Sequence, residues 1–293
     1  SLLAPVGEAS NRSWLQHSSE PHGNGSILED CLLRDAELME AMENHGFISR
    51  DIDIVNTDRS VGARLAGEIA QRHGNRGFQG QLKLHFRGAA GQSFAAFLVQ
   101  GMTVRLEGEA NDYVGKGMNS GRISLVPGDG VENPGDQVIL GNTCLYGATG
   151  GELFALGRAG ERFGVRNSGA YAVVEGAGDH CCEYMTGGVI VVLGGTGRNV
   201  GAGMTGGVAF LLDETGGVTP RVNAEIVEVV SITTPQQESL LRSLLEMHVS
   251  TTASTKAKAL LSDWTNSMSA FKVLVPPSER AAMGLFERTA VTA

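Results

Sequence analysis

Short apolar runs separated by glycine-rich turns recur along the chain between Gly117 and Asp213. Each copy begins with small residues and glycine, continues with four or five apolar residues and ends at glycine or an acid. The last three steps between equivalent positions are 19, 18 and 19 residues, and the first is longer by a polar insert at 127–136. A period of this length indicates a repeat architecture. The equivalent positions are Gly121, Gly151, Ala170, Gly188 and Gly207.

The stretch from Leu82 to Leu212 contains short strand-like runs and no segment patterned as a crossover helix. This excludes parallel strands joined by helices, because such neighbours need a helical return. Antiparallel hairpins remain open, but similar turns every 18 or 19 residues favour coils stacked in parallel. The predicted fold is mainly β: a parallel β-helix in which each coil is one repeat and equivalent strands stack at about 4.8 Å.

Helices are predicted on both sides of these coils, over about 28–45, 61–73, 235–249 and 255–269. The segment 56–60 offers N-cap side chains for the second helix, and Thr234 to Gln237 resembles a capping box for the third. An extended segment at 271–277 ends in prolines. We therefore predict a single β-helix domain over 28–277, a linker or mobile arm over 1–27 and a tail over 278–293.

Two of the strand-like runs, Val189 to Leu193 and Val208 to Leu212, are apolar at every position. Side chains of a strand alternate between its two faces, so the face that points away from the coil interior must also be covered. Helices of this chain and the surface of another protein are the two candidate covers.

The composition agrees with a folded array of turns. The chain has 293 residues, of which 41 are Gly, and aromatic residues make up 5%. The formal net charge is -9 and the basic residues are scattered, which argues against nucleic-acid or anionic-membrane partners. The sequence contains neither an apolar run of bilayer length nor a signal-peptide pattern, so a cytosol-like setting is expected. Four cysteines without a CxxC pair are interpreted as reduced thiols.

Two glycine motifs resemble nucleotide-binding loops but lack the context that such loops need. Gly201 to Gly206 matches GxGxxG, yet a strand pattern and not a helix follows it. The mechanism requires a helix N-terminus facing the pyrophosphate. Gly115 to Gly117 lacks the upstream glycine and the following Ser or Thr of a P-loop. Both are interpreted as turns.

Two polar clusters are candidate sites for chemistry. Asp179 to Glu183 reads Asp-His-Cys-Cys-Glu, but adjacent ligands do not easily close a tetrahedral metal site, and no second pair follows at suitable spacing. The carboxylates of Glu107, Glu109 and Asp112 could form a glycosidase-like pair, although a solvated turn is favoured. The sequence shows no local nucleophile motif for a catalytic triad. We assign no catalytic, cofactor-binding or metal-ligating residue in this chain.

Five longer segments make the chain resemble a known family, the C-terminal glycine-repeat (GXGXG) domain of the glutamate synthase large subunit. The likeness covers residues 28 to 277 and departs from the family pattern at Cys181, where glycine is expected and the turn is expected to be tighter or rearranged. The matching segments are Asn56 to Ala63, Gly101 to Gly117, Asn142 to Gly151, Ala159 to Gly169 and Gly178 to Gly188.

The resemblance implies a right-handed β-helix inside a cytoplasmic enzyme, or a plastid one in a plant or alga. That enzyme makes two glutamates from glutamine and 2-oxoglutarate. In this family an amidotransferase domain releases ammonia, and a separate domain carries FMN and an iron–sulfur cluster. These two domains are the implied partners, in cis or as separate chains, and no cofactor is implied within this chain. Whether ferredoxin or a nicotinamide donates the electrons stays open.

The leading functional hypothesis is a non-catalytic structural domain whose two-sided apolar strands dock the other domains of a glutamate synthase. One alternative is a stand-alone β-helix enzyme acting on a sugar or small molecule. Another is a scaffold subunit of a formylmethanofuran-dehydrogenase-like complex, because the same repeat occurs there. The Asn56 and Asp179 segments and the helical C-terminus favour glutamate synthase.

Overall fold

A computed structural model describes residues 25–280 of the chain. The linker predicted over 1–27 and the tail predicted over 278–293 therefore lie outside the described residues, apart from 25–27 and 278–280. Within 25–280 the strands are β1 (Phe47–Ile54), β2 (Gln81–Ala90), β3 (Met102–Ala110), β4 (Arg122–Val126), β5 (Val138–Leu140), β6 (Glu152–Ala159), β7 (Ser168–Ala177), β8 (Thr186–Val192), β9 (Gly206–Leu212), β10 (Glu228–Ser231) and β11 (Phe271–Val275). The helices are α1 (Leu28–Leu32), α2 (Ala36–Glu43), α3 (Ala63–His73), α4 (Pro235–Thr252), α5 (Thr255–Ser262), α6 (Trp264–Ala270) and α7 (Pro277–Arg280).

The sheet order follows the chain, β1-β2-β3-β4-β6-β7-β8-β9, and every neighbouring pair in this run is parallel. Each connection is a turn and not a crossover helix, apart from α3 between β1 and β2. The result is a stack of about six coils, which confirms the predicted mainly β solenoid with flanking helices. Antiparallel pairing is confined to the end of the array, where β11 pairs with β9 and β10 pairs with β11.

The polar insert lengthens one coil without leaving the array. Its Pro134–Asp136 segment forms one 3₁₀ turn, and β5 follows it and pairs with both β3 and β6. The insert is therefore an elaborated corner between β4 and β6. It reappears below as one wall of a cleft.

The stacking distance explains one column of glycines. A Cβ built on Gly150, Gly169 or Gly206 would lie 2.2 Å from a backbone carbonyl oxygen of the preceding coil. At Gly187 the same distance is 2.3 Å. No side chain fits at such a separation, so this corner requires glycine in these four coils.

The inward side chains of the strands form a continuous apolar core. The strand register aligns one inward-facing residue from each of six parallel strands in a column, and all six residues are buried. The neighbouring outward column changes character along the stack, from Arg105 and Ser124 to Phe154, Val173, Val191 and Phe210. The inward column consists of Val104, Ile123, Leu153, Ala172, Ile190 and Ala209.

The apolar part of the outer face is covered by helices of this chain. Leu240, Leu241, Leu244 and Leu245 of α4 and Ala257 of α5 are buried in one cluster with the outward side chains of β6 to β9. Of the two covers that the sequence left open, the chain's own helices are the correct one. The expectation that these two-sided strands dock other domains is therefore wrong, and any docking must use a different surface.

The predicted helices are present with altered boundaries. The segment predicted over 28–45 contains α1 and α2, because Asp35 interrupts it and caps α2 by accepting from the backbone N–H groups of Glu37 and Leu38. The segment predicted over 255–269 is likewise divided at Asp263. The capping box of Thr234 and Gln237 is formed at the start of α4. None of the described helices is long and apolar enough to cross a bilayer.

The N-terminus of α3 differs from its prediction. The side chains of the 56–60 segment do not cap it, and Gly62 stands at the N-cap position. The buried carboxylate of Glu29, from α1, accepts from the N–H groups of Gly62, Arg64 and Leu65 instead. Burial raises the pKa of Glu29, against the lowering effect of these backbone hydrogen bonds.

Candidate functional site

A second corner of the solenoid has an unusual backbone. In six consecutive coils, a five-residue segment has positive φ at its first, third and fifth residues. We call these segments, 93–97, 113–117, 143–147, 162–166, 180–184 and 199–203, the αL corner. A left-handed conformation costs about 1–2 kcal/mol for a residue other than glycine. The coils compensate by bonding to each other, for example Tyr113 N to Asn142 O at 2.9 Å and Leu145 N to Val114 O at 2.8 Å.

The family-based expectation of a rearranged turn at Cys181 is not what the structure shows. Cys181 occupies the second position of its corner segment, where every coil has a buried side chain. Its neighbour Cys182 has φ of +62° at the third position, which is glycine in three other coils. Positive φ therefore falls on Cys182 and not on Cys181, and the corner keeps its ordinary backbone. The equivalents of Cys181 are Phe94, Val114, Cys144, Phe163 and Val200.

Two aromatic side chains lie on the outside of the αL corner. Phe97 and Tyr184 occupy fifth positions in different coils, and 52% and 53% of their surfaces are exposed. A Cβ on Gly117 would lie 2.7 Å from the ring of Phe97, and one on Gly203 would lie 2.3 Å from the ring of Tyr184. Each ring thus lies against a glycine of the next coil. Its other face remains open among the described residues.

Cations and further rings occupy the corner between these two residues. The Nζ atom of Lys116 lies 5.4 Å from the ring centroid of Tyr113, and Cζ of Arg166 lies 5.9 Å from that of Tyr146. The two tyrosine rings meet edge to face at 6.2 Å. Arg162 adds a third positive charge, 3.3 Å from Glu183. We define the corner surface as Phe97, Tyr113, Lys116, Tyr146, Arg162, Arg166 and Tyr184.

The two glycine motifs belong to this corner. Gly201 to Gly206 turns the last corner segment and leads directly into β9, so no helix N-terminus is present to receive a pyrophosphate. Gly115 to Gly117 is the turn of an earlier coil, with positive φ at both glycines. The structure supports the interpretation of both motifs as turns.

The side chains of Asp179 to Glu183 do not converge on one point, although Nδ1 of His180 lies 3.7 Å from Oε1 of Glu183. Cys181 and Cys182 are buried in the coil interior with their sulfur atoms 3.7 Å apart, whereas Asp179 points outward to Arg198. The bond to Cys181 and burial raise the pKa of the Cys182 thiol. The backbone N–H of Arg198 lowers the pKa of Asp179. Residues 25–280 contain no group of three or more His, Cys, Asp or Glu placed to hold a metal ion.

The carboxylates of Glu107, Glu109 and Asp112 are not assembled into a pair. Glu107 lies 3.3 Å from Arg105 and 3.5 Å from Arg87 on the outer face of the sheet. The Oδ1 atom of Asp112 accepts from the backbone N–H of Asn142 at 2.7 Å, which joins one coil to the next. Asn142 and Asp179 repeat this bond one and three coils later. These polar residues therefore serve coil stacking.

A polar cluster that the sequence did not reveal lies between the solenoid and α4. One oxygen of the buried Glu175 carboxylate accepts from Ser254 Oγ at 2.5 Å and lies 3.1 Å from Nε2 of the buried His248. Ser254 in turn accepts from Ala257 N and caps α5. Glu175 and His248 are 73 residues apart, so neither spacing nor pattern could bring them together in advance.

The comparisons with known proteins agree with this architecture. The family model described as "GXGXG motif" matches residues 30–277. The chain belongs to this family. It is 57% identical over 92% of its length to ferredoxin-dependent glutamate synthase 2 of Synechocystis, and 51% identical over 98% to the chloroplastic ferredoxin-dependent glutamate synthase of Spinacia oleracea. The enzyme of the same name from Pyropia yezoensis is 54% identical over 92%. The chain spans only 17% or 18% of the length of these relatives.

Proposed function

We propose that this chain is a structural, domain-docking β-helix of a glutamate synthase and that it works without an active site of its own. The observation that carries the proposal is the corner surface, a set of exposed and half-buried aromatic and cationic side chains on a rigid stacked corner. The relatives support it, since the matched region is less than a fifth of each glutamate synthase. Most of such an enzyme therefore lies outside the chain and is available as a partner.

The residue types of the corner surface are those that protein interfaces favour. Tyr, Phe and Arg are enriched at interfaces, and large side chains held by a rigid backbone lose little entropy when they become buried. The stacking of each ring against glycine fixes its position before a partner arrives. The surface is thus preorganised for contact.

The charge of the surface indicates what kind of partner it fits. Lys116, Arg162 and Arg166 concentrate positive charge on a chain whose formal net charge is -9, and Glu183 offsets one of these cations. Complementary charge favours an acidic surface. The proposed occupant is an acidic face of the amidotransferase or FMN-binding domain of the same enzyme.

The test removes the two exposed rings by substitutions that the backbone conformation tolerates. The double variant carries Phe97→Asn and Tyr184→Asn. Both positions have positive φ, which asparagine tolerates better than an aromatic residue. We expect the double variant to fold and to bind the remainder of the enzyme, supplied as a separate chain, at least about tenfold more weakly. Calorimetry measures the affinity, and glutamine-dependent glutamate formation on mixing reports assembly.

The matched control is Ile226→Asn, which removes another exposed apolar side chain, 41% exposed and outside the corner. This control should bind like the unaltered chain. Equal affinity of the double variant and the unaltered chain would refute the corner as the docking surface. Failure of the unaltered chain to bind at micromolar concentration would refute docking altogether.

The alternatives receive less support. A stand-alone enzyme needs carboxylates free for acid–base chemistry, but Glu175 is bonded to Ser254 and lies beside His248, and Glu107 is engaged by arginines. Nothing among the described residues favours a formylmethanofuran-dehydrogenase-like scaffold over a glutamate synthase. The 51–57% identities above point to the latter.

The setting of the parent enzyme follows from the same proposal. Its FMN and iron–sulfur cluster belong to domains outside this chain, and its electron donor is ferredoxin, as the names of the relatives state for those enzymes. Its compartment is the cytoplasm, or the plastid stroma if the source is a plant or alga. Reduction of the complete enzyme by ferredoxin, compared with NADH and NADPH, tests the choice of donor.

A further inference from the structure

A cleft of about 530 Å³ opens where β6 to β9 end and α5 begins. Its walls come from separate parts of the chain: the insert at 133–136, the ends of β6 and β7, the turns at 194–196 and 212–221, and the α5 start at 254–256. The Glu175 and Ser254 pair lies in its lining. This volume accommodates a small metabolite.

Arg158 lines the cleft without a partner for its charge. Its guanidinium makes no hydrogen bond or ion pair with any residue in the described part of the chain, although its side chain is half-buried. Arg158 pairs with Gly176 in the sheet, and the missing side chain there leaves room for it. A Cβ on Gly176 would lie 3.2 Å from both Arg158 Nε and the carbonyl oxygen of Gly195. Arg158 is thus held beside the 194–196 turn.

Thr196 of that turn carries a second unsatisfied group. Only 5% of the residue is exposed, and its buried hydroxyl has no hydrogen-bond partner among the described residues. Arg221 fixes the turn by donating to the Thr196 carbonyl oxygen. Burying an unpaired hydroxyl is costly, so such a group in a cleft indicates a missing acceptor or donor.

We propose that the cleft binds a small carboxylate-bearing molecule, whose carboxylate accepts hydrogen bonds from the Arg158 guanidinium and the Thr196 hydroxyl. A planar guanidinium matches a carboxylate through two parallel N–H···O bonds. This function is separate from docking, because the cleft and the corner surface share no residue.

The remaining charges of the cleft fit a ligand of amino-acid or dicarboxylate size. Lys256 and Arg221 bring two further cations, and the N-terminal end of α5 adds a partial positive charge. Lys256 is already paired with Glu214, 3.0 Å away. The carboxylates of Asp136 and Asp213 also line the cleft and would attract an ammonium group, whereas Glu175 is already bonded to Ser254.

The experiment is calorimetric titration of the purified chain with L-glutamate and with glutarate, which has both carboxylates but no ammonium group. We expect saturable binding of at least one probe below about 20 mM. Arg158→Gln should weaken it about tenfold, because the charged bidentate pair is lost. Thr196→Val should weaken it about fivefold. The Thr196→Val chain should unfold at no lower urea concentration than the unaltered chain, since the hydroxyl it removes is unpaired.

The control is Arg59→Gln, an exposed arginine outside the cleft lining, which should leave the titration unchanged. The proposal is overturned if neither probe binds or if Arg59→Gln weakens binding as much as Arg158→Gln. It is also overturned if the remainder of the enzyme displaces the probe, because a protein carboxylate then fills the cleft. Docking is tested separately, since the Phe97 and Tyr184 variants should bind the probes as the unaltered chain does.

Discussion

Cys182 is a residue whose backbone conformation is imposed by the stacked coils. It is fully buried, and its φ of +62° lies in the left-handed region that L-residues avoid. The conformation persists because its N–H bonds to Phe163 O of the preceding coil at 2.8 Å. The fold therefore imposes the backbone here, and the side chain only has to fit.

Replacing Cys182 tests this imposed conformation. Glycine should be more stable than alanine at this position by about 0.5–1 kcal/mol, because relief of positive φ outweighs the entropy that glycine adds to the unfolded chain. The neighbouring Cys181 is the matched control, since it is equally buried but lacks positive φ. There alanine should be the more stable of the two. Urea unfolding of the four variants measures both differences, and the same order at both sites would contradict the argument.

Only part of this residue-level organisation is visible in the sequence. Gly115, Gly164 and Gly201 mark the third corner position by their type. Leu145 takes the same conformation, although nothing in a leucine indicates positive φ. Inter-coil hydrogen bonds decide it, and they exist only after the coils have stacked. The αL corner was therefore predictable as a set of turns but not as one continuous surface.

Helix α4 determines which faces of the solenoid are open. The outward column on β6 to β9 consists of Phe154, Val173, Val191 and Phe210, and these residues pack under the leucines of α4. On β3 and β4 the equivalent residues are polar, and one of them, Arg105, donates to the carbonyl oxygen of Thr251 near the end of α4. The sequence predicted α4 well, because a capping box and a leucine stripe are local signals. It could not say what α4 covers, because that depends on contacts distant in sequence.

Leu244→Ala tests the seating of α4 on the sheet. Leu244 is fully buried, so its truncation leaves a cavity between helix and strands and should lower the free energy of unfolding by about 2–4 kcal/mol. Ser239→Ala, exposed on the same helix, should change it by less than about 0.5 kcal/mol. Urea denaturation followed by circular dichroism provides both values. A loss below about 1 kcal/mol for Leu244→Ala would mean that α4 does not depend on this contact.

At the scale of the whole molecule, the chain is a linear array closed differently at its two ends. One end is covered by α1 to α3, and the other is finished by the antiparallel strands β11 and β10. Caps of this kind hide the apolar end of a stack, which would otherwise be exposed. The repeat predicted the stack itself. The helices that cover the stack were predicted from their apolar faces, but the sequence did not show where on the stack they pack.

Glu29 joins α1 to α3 in the helical cap at one end of the array, and its raised pKa predicts that the stability of the fold depends on pH. Burial raises the pKa of Glu29 in the folded chain above its ordinary value of 4.5. As pH rises from 4.5 through the folded value, the unfolded chain releases this proton first, so the Glu29 contribution to stability falls and then levels off. Glu29→Gln removes this titratable group, so the variant lacks its contribution to the pH dependence of stability. Below pH 4.5 it should cost less than about 1 kcal/mol, because Glu29 is then a neutral acid and the amide keeps a carbonyl oxygen to accept from the α3 N–H groups.

The urea midpoint of Glu29→Gln relative to the unaltered chain should therefore rise with pH across that window and stay constant on both sides of it. Glu40→Gln is the control, since Glu40 is an exposed carboxylate of α2 that makes no ion pair among the described residues, and its difference should be flat. A flat difference for Glu29→Gln, or one that falls as pH rises, would show that burial does not govern this carboxylate. A difference that falls would mean that the backbone N–H groups of α3 dominate the ionisation of Glu29 and that a charged Glu29 holds the cap.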